Sequence, residues 1–196
     1  KFILYFISIN WDNKMLKRGI YAASLSVLNK DLTLNVEATI SHAENLIKNG
    51  LHGCFFLGST GMAQLISKNE KMELISKISN HKLRKQFFLG TGCNSLNENI
   101  ELIKYASEFN FNTILLMPSA YYSGNSNEGV FEFYKRIILA CPKIKIVIYN
   151  FQKLSGYLFS VEAITKLVET FPKNIIGVKD SSYNLYENLK IKDFLI

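Results

Sequence analysis

A lysine closes one of the most apolar runs in the chain. Lys179 follows Ile175, Ile176, Gly177 and Val178, and lysine is depleted from strand interiors. At the end of a strand covered on both faces it loses water, and desolvation favours the neutral amine. A neutral amine attacks a carbonyl carbon and forms an imine, whose positive nitrogen is an electron sink for an adjacent carbon–carbon bond. The plainer reading is a lysine whose head reaches out to water from a strand end.

Other candidates stand where apolar runs end. Gly58-Ser59-Thr60-Gly61 can offer hydroxyls and backbone N–H groups to a carboxylate, although turns collect the same residues for local reasons. No Gly-Lys-Ser/Thr follows, so it is not a P-loop. Tyr149 ends the strand next to that of Lys179, close enough to shuttle a proton at the same carbon; an aromatic cap on the core is the competing reading. Tyr121 and Tyr122 fit packing or an interface equally well. His42, His52 and His81 have no partners at catalytic or metal spacing, and Cys54, Cys93 and Cys141 form no CxxC pair. No metal site is expected, and the cysteines are expected to be reduced, buried and inert.

These residues need a scaffold that gathers strand ends. Short apolar runs alternate with helical spacing from Gly19 onward, the mark of successive βα units and a parallel sheet. Strands are expected at 19–27, 53–57, 86–91, 113–117, 145–149 and 175–179, with 193–196 opening another. Helical stripes run through Val36, Ile40, Ala43 and Ile47, through Met72, Ile75 and Ile78, and through Ile100, Ile103 and Ala106. Ser67 with Glu70 reads as a capping box, and Ser160 precedes a helix ending near Phe171-Pro172. Periodicity alone leaves a doubly wound sheet and a barrel both open, but in either one active groups collect at the carboxyl ends of strands.

Composition narrows the class. The chain has 196 residues, is 48% hydrophobic and 20% charged, and has only three prolines, which suits one globular domain. Its apolar runs are too short to span a bilayer. The balance of 23 Lys+Arg against 16 Asp+Glu gives a net charge of +7. That charge permits attraction to anions, but it is scattered. Lys68, Lys71, Lys77, Lys82, Arg84 and Lys85 come nearest to a patch, and without interleaved aromatics they read as a solvated helix face rather than a nucleic-acid site. The segment 1–14 precedes the βα pattern and lacks a signal-peptide cleavage site. It is expected to be a non-native or disordered extension ahead of a start at Met15. No nucleic acid or membrane partner is expected, and a cytoplasmic location is.

Taken together, Gly58-Ser59-Thr60-Gly61, Tyr121-Tyr122, Tyr149-Asn150, Leu154-Ser155-Gly156 and Gly177-Val178-Lys179-Asp180, in this order and spacing, resemble the dihydrodipicolinate synthase/N-acetylneuraminate lyase family, from about Leu16 to Ile196. The resemblance implies a (β/α)8 TIM barrel, here truncated after about six βα units, with residues 15–196 as an incomplete barrel domain. It also implies that Lys179 forms a Schiff base with pyruvate or a 2-keto acid, without metal or organic cofactor. Gly58, Ser59, Thr60 and Gly61 would hold the carboxylate and Tyr149 would relay protons. Tyr122 would enter a neighbouring subunit's site, which implies a homo-oligomer, dimer or tetramer.

Departures from the family pattern bear on the substrate. Met62 stands where the family usually has Glu, Gln152 stands where a proline is usual, and Leu154 replaces the arginine that synthases use for a distal carboxylate. The expectation is reversible cleavage of a 2-keto-3-deoxy sugar acid or sialic acid to pyruvate and an aldehyde. The alternative is 4-hydroxy-tetrahydrodipicolinate synthase, condensing pyruvate with aspartate semialdehyde, and a second alternative is a non-catalytic 2-keto-acid binder. A barrel lacking two strands exposes a sheet edge, so the isolated 196-residue chain is expected to be insoluble or inert.

Overall fold

A computed structural model describes residues 3–6 and 19–182. Strand β1 (Ile3–Phe6) pairs antiparallel with β2 (Gly19–Ala23). There follow helix α1 (Val36–Lys48), β3 (Gly53–Phe56), α2 (Lys68–Ser79), β4 (Phe87–Gly90), α3 (Leu96–Glu108), β5 (Thr113–Leu116), α4 (Asn127–Ala140) and β6 (Lys145–Asn150). The one-turn helix α5 (Gln152–Ser155), helix α6 (Val161–Thr170) and β7 (Ile175–Asp180) complete the described order. The strand expected at 193–196 lies outside the described residues.

Strand order decides between the two architectures left open by periodicity. The sheet runs β1-β2-β3-β4-β5-β6-β7, and every pair from β2 to β7 is parallel. A doubly wound sheet reverses its order and carries helices on both faces. Here each new strand adds on the same side, as in a (β/α)8 barrel.

The packing agrees. Alternate strand residues such as Cys54, Phe56, Leu89, Ile114, Leu116, Ile146 and Ile148 join helix residues including Ile40, Leu74, Ile103, Ile137 and Ile164 in one large core cluster. Tyr21, Phe55, Phe88, Leu115, Val147 and Tyr149 form a second cluster, drawn from strands alone. The helices therefore cover one face, and the other is filled from successive strands, as in a barrel interior.

Serine starts several of the helices. Ser67, Ser95, Ser126 and Ser160 each accept a hydrogen bond from the backbone N–H three residues on. The capping box at Ser67 forms as expected. Its Glu70 also accepts from Leu34 N at 2.6 Å, tying α2 to the chain ahead of α1.

Two expectations need correction. The first parallel strand stops at Ala23 rather than running to residue 27, because side chains capture the next segment: Ser26 Oγ donates to Gly61 O at 2.6 Å, and Val27 N donates to Thr39 Oγ1 at 2.9 Å. Lys71 is not on a solvated face. It is buried, and its Nζ donates to Gly92 O at 3.0 Å, holding the loop after β4. Among the described residues no helix is long and apolar enough to cross a membrane, and no three His, Cys, Asp or Glu side chains are grouped to hold a metal.

Candidate active site

Lys179 reaches the interior through an irregularity in β7. Ile146 pairs with Ile175, but Val147 pairs with Gly177, so Ile176 is an extra residue opposite this step of β6. Ile175 belongs to the helix-facing cluster, and strict alternation from it would turn Lys179 toward the helices. The bulge resets the count. Val178 takes the helix-facing position and Lys179 comes level with Tyr149, which faces the interior.

There the lysine is 7% exposed. Its Nζ lies 3.6 Å from the centre of the Tyr149 ring and donates to Ser181 Oγ at 3.1 Å. Burial pulls the amine down to about 7, with the Asp180 carboxylate acting the other way. A lysine so placed offers a large neutral fraction near neutral pH.

Tyr149 connects the amine to the loop after β3. Its hydroxyl lies 2.7 Å from Ser59 Oγ. Burial raises its ionisation, while hydrogen bonds with Ser59 and Ser181 pull it back. A phenol held neutral between two hydroxyls can donate or accept a proton without carrying charge.

The loop holding Ser59 is bracketed by left-handed backbone. Leu57 and Met62 have φ of 58° and 49°, conformations that cost non-glycine residues of order 1–3 kcal/mol and concentrate at functional sites. Gly61 is needed for a close approach, since a Cβ there would stand 2.9 Å from Ser24 O. Gly58 and Ser59 line a cleft of about 210 Å³ together with Tyr149, Met62, Leu65 and Leu154. Thr60 and Gly61 are not among its lining residues.

Tyr122 stands apart from this cluster. It is 79% exposed beside the equally exposed Tyr121, and the two rings meet edge to face at 5.2 Å. It does not join Lys179 within this chain. Ser181 is the member that sequence reasoning left without a role: it bonds both Lys179 and Tyr149, and only its place just past the strand end could have pointed to it. Asn150 is a second. Fully buried, it donates to Asp180 Oδ1 at 2.7 Å and accepts from Phe159 N at 3.2 Å, bracing the ends of β6 and β7.

The histidines and cysteines stay outside the site. His52 Nδ1 accepts from Ile20 N, and His81 pairs with Glu44. All three cysteines are free and buried, and burial pushes the Cys54 thiol up to about 12.

Known proteins share this fold. Residues 16–195 match the Dihydrodipicolinate synthetase family. A 4-hydroxy-tetrahydrodipicolinate synthase of Pelagibacter ubique is 34% identical over 157 residues, 80% of this chain and 52% of its own length. The crystal structure of dihydrodipicolinate synthase from Agrobacterium tumefaciens superposes with a TM-score of 0.78 at 25% identity, covering 84% of this chain and 58% of that one. A Ruminococcus gnavus sialic acid aldolase, solved as a catalytic lysine mutant, shares the fold with a TM-score of 0.80 at 19% identity, over 90% of this chain and 59% of that one. The chain spans about half the length of the curated relatives it matches. A match over 16–195, on a sheet wound in barrel order, makes this chain a member of the dihydrodipicolinate synthetase family.

Proposed function

We propose that the protein is a Schiff-base enzyme using pyruvate or a related 2-keto acid, with Lys179 as the nucleophile. The observation that carries this reading is the junction of three strand ends: the buried Lys179 Nζ on the Tyr149 ring, and the Tyr149 hydroxyl 2.7 Å from Ser59. The neutral amine adds to the keto carbon, the resulting carbinolamine loses water, and the iminium stabilises the enamine made by losing a proton from the methyl carbon. Tyr149 serves as the proton relay. Gly58, Ser59, Thr60 and Gly61 receive the carboxylate, with Ser59 nearest to Tyr149. Neither metal nor organic cofactor takes part in this chemistry.

Tyr122 acts in a neighbouring copy within a homo-oligomer; its exposure supports this role. For the second substrate, similarity to 4-hydroxy-tetrahydrodipicolinate synthases supports condensation with aspartate semialdehyde over cleavage of a sugar acid or sialic acid. Leu154 in the cleft wall favours the reading without a carboxylated partner.

Borohydride trapping with pyruvate, read by intact mass and peptide mapping, tests the assignment. A pyruvate-derived adduct on Lys179, lost in Lys179→Ala, is expected. Folded protein that binds pyruvate without forming an adduct would instead be a non-catalytic binder.

A further inference from the structure

From the hydrogen bonds that meet on one carboxamide, we infer that Asn94 is a positioning residue, which places the loop carrying Tyr122 relative to the loop carrying Ser59. The inference rests on the reading of Lys179 and Tyr122 above and names the group that sets where Tyr122 stands.

Asn94 lies in the loop after β4 and reaches the loops on either side. Its Nδ2 donates to Gln64 Oε1 at 2.7 Å, and Gln64 Nε2 lies 3.4 Å from Asn94 Oδ1. Gln64 belongs to the short 3₁₀ helix Ala63–Leu65, which begins directly after the left-handed Met62 of the Ser59 loop. On the other side Ala120 N donates to Asn94 Oδ1 at 2.9 Å, and Ser119 Oγ donates to the Asn94 backbone carbonyl. Ala120 directly precedes Tyr121 and Tyr122. A backbone N–H can only donate, so the bond from Ala120 N identifies the oxygen end of the carboxamide and turns Nδ2 towards Gln64. One planar group thus spans the two loops, and displacing either strains its bond to the other.

The Tyr122 loop is braced elsewhere as well. Asn125 Nδ2 donates to Ser119 O at 3.1 Å, tying the end of the loop to its start. Ser123 lies against Gly156, where a Cβ would stand 3.1 Å from Ser123 Cα and Cβ. Between these ties the two tyrosines are exposed. An exposed aromatic pair on a loop held in this way is already in place when a neighbouring copy arrives, which lowers the ordering cost of association.

Placement matters most for the proton. As the enamine forms, a methyl C–H bond of the captured pyruvate breaks, its electron pair becomes the carbon–carbon double bond, and the C=N pair returns to the Lys179 nitrogen. The proton passes to Tyr149 and on through Tyr122 of a neighbouring copy to water; in D2O the reverse path returns a deuteron. A misplacement of about 1 Å in such a path costs on the order of a hundredfold. The Ser59 loop keeps its own ties, Ser26 Oγ to Gly61 O and Ser59 Oγ to the Tyr149 hydroxyl. Losing Asn94 therefore frees the Tyr122 loop and leaves the pyruvate end in place.

The test uses protein expressed from the whole gene, with pyruvate as the only substrate. Borohydride trapping reports capture by Lys179, and NMR of deuterium entering the pyruvate methyl group reports the relay. Wild-type protein that forms no adduct defeats the Schiff-base reading, Tyr122→Phe with wild-type exchange removes Tyr122 from the relay, and either result also overturns the inference. With both readings standing, Asn94→Ala is expected to slow exchange at least about tenfold while the trapping rate stays within about twofold of wild type. Asn94→Asp keeps the acceptor for Ala120 N and lets Gln64 turn its amide to donate, so exchange is expected to return to within about threefold. Adding Asn94→Ala to Tyr122→Phe is expected to slow exchange less than about twofold further, because the two act through one path. Wild-type exchange in Asn94→Ala, trapping that falls as far as exchange, no recovery in Asn94→Asp, or the full loss repeated in the double variant overturns the inference while leaving Lys179 and Tyr122 in their roles.

Discussion

If Lys179 is the nucleophile, the rate of pyruvate capture follows its neutral amine, and the structure says where that amine titrates. Burial moves it from 10.5 to about 7. About half is then neutral at pH 7, against roughly 0.03% for an ordinary lysine, a gain on the order of a thousandfold. The Tyr149 ring works against this, because a cation over an aromatic face gains about 0.5–2 kcal/mol. That is smaller than the roughly 5 kcal/mol represented by a shift from 10.5 to about 7, so desolvation wins. Initial rates of borohydride-trapped adduct, followed by intact mass from about pH 5.5 to 9.5, are expected to inflect near 7 and level off above it. A rate still climbing tenfold per pH unit through 9 would refute the reasoning. Stability gives an independent reading. With the folded value depressed, the unfolded chain holds the proton more tightly between about 7 and 10.5, so stability rises with pH across that window. The burial cost is fully present below about 7. Lys179→Met is therefore expected to stabilise the fold at pH 6 by on the order of 4 kcal/mol, with the gain fading towards pH 10. Urea melts at the two pH values measure it.

Three other substitutions separate the roles of neighbouring groups. Tyr149→Phe keeps the ring against Lys179 but removes the hydroxyl; trapping with pyruvate is expected to survive while turnover falls about 10²–10⁴-fold, and an unchanged kcat would remove Tyr149 from the relay. Ser59→Ala takes away a hydrogen bond that lowers the Tyr149 ionisation, so a difference-absorbance titration is expected to show that phenol titrating at higher pH, with a raised KM for pyruvate. Gly61→Ala sets a Cβ at 2.9 Å from Ser24 O and 3.2 Å from Ser26 Oγ, and a loss of about 1–3 kcal/mol in denaturant unfolding is expected; native-like stability would mean that the Ser26 contact yields easily.

The sequence showed where the strands lie more clearly than which way their side chains face. Apolar runs located all six parallel strands, most plainly β3, β4 and β5, every residue of which is buried. Serine caps placed the starts of α2 and α6 because a cap is a local interaction. The early end of β2 was hidden, since the hydroxyls of Ser26 and Thr39 that divert the chain meet partners 35 and 12 residues away. Lys71 was misread for a similar reason: its partner, Gly92 O, belongs to another βα unit. The placement of Lys179 depends on a feature with no local signature. Counting by twos from Ile175 sends Lys179 to the helix-facing side, and only the extra residue opposite the Ile146–Val147 step brings it level with Tyr149. The order of motifs along the chain named residues that the structure brings together, because strand ends converge in a barrel whatever the local irregularities. The geometry of that cluster, the Lys179 amine on the Tyr149 ring with Ser181 bonded to both, comes from one bulge and one residue beyond the strand.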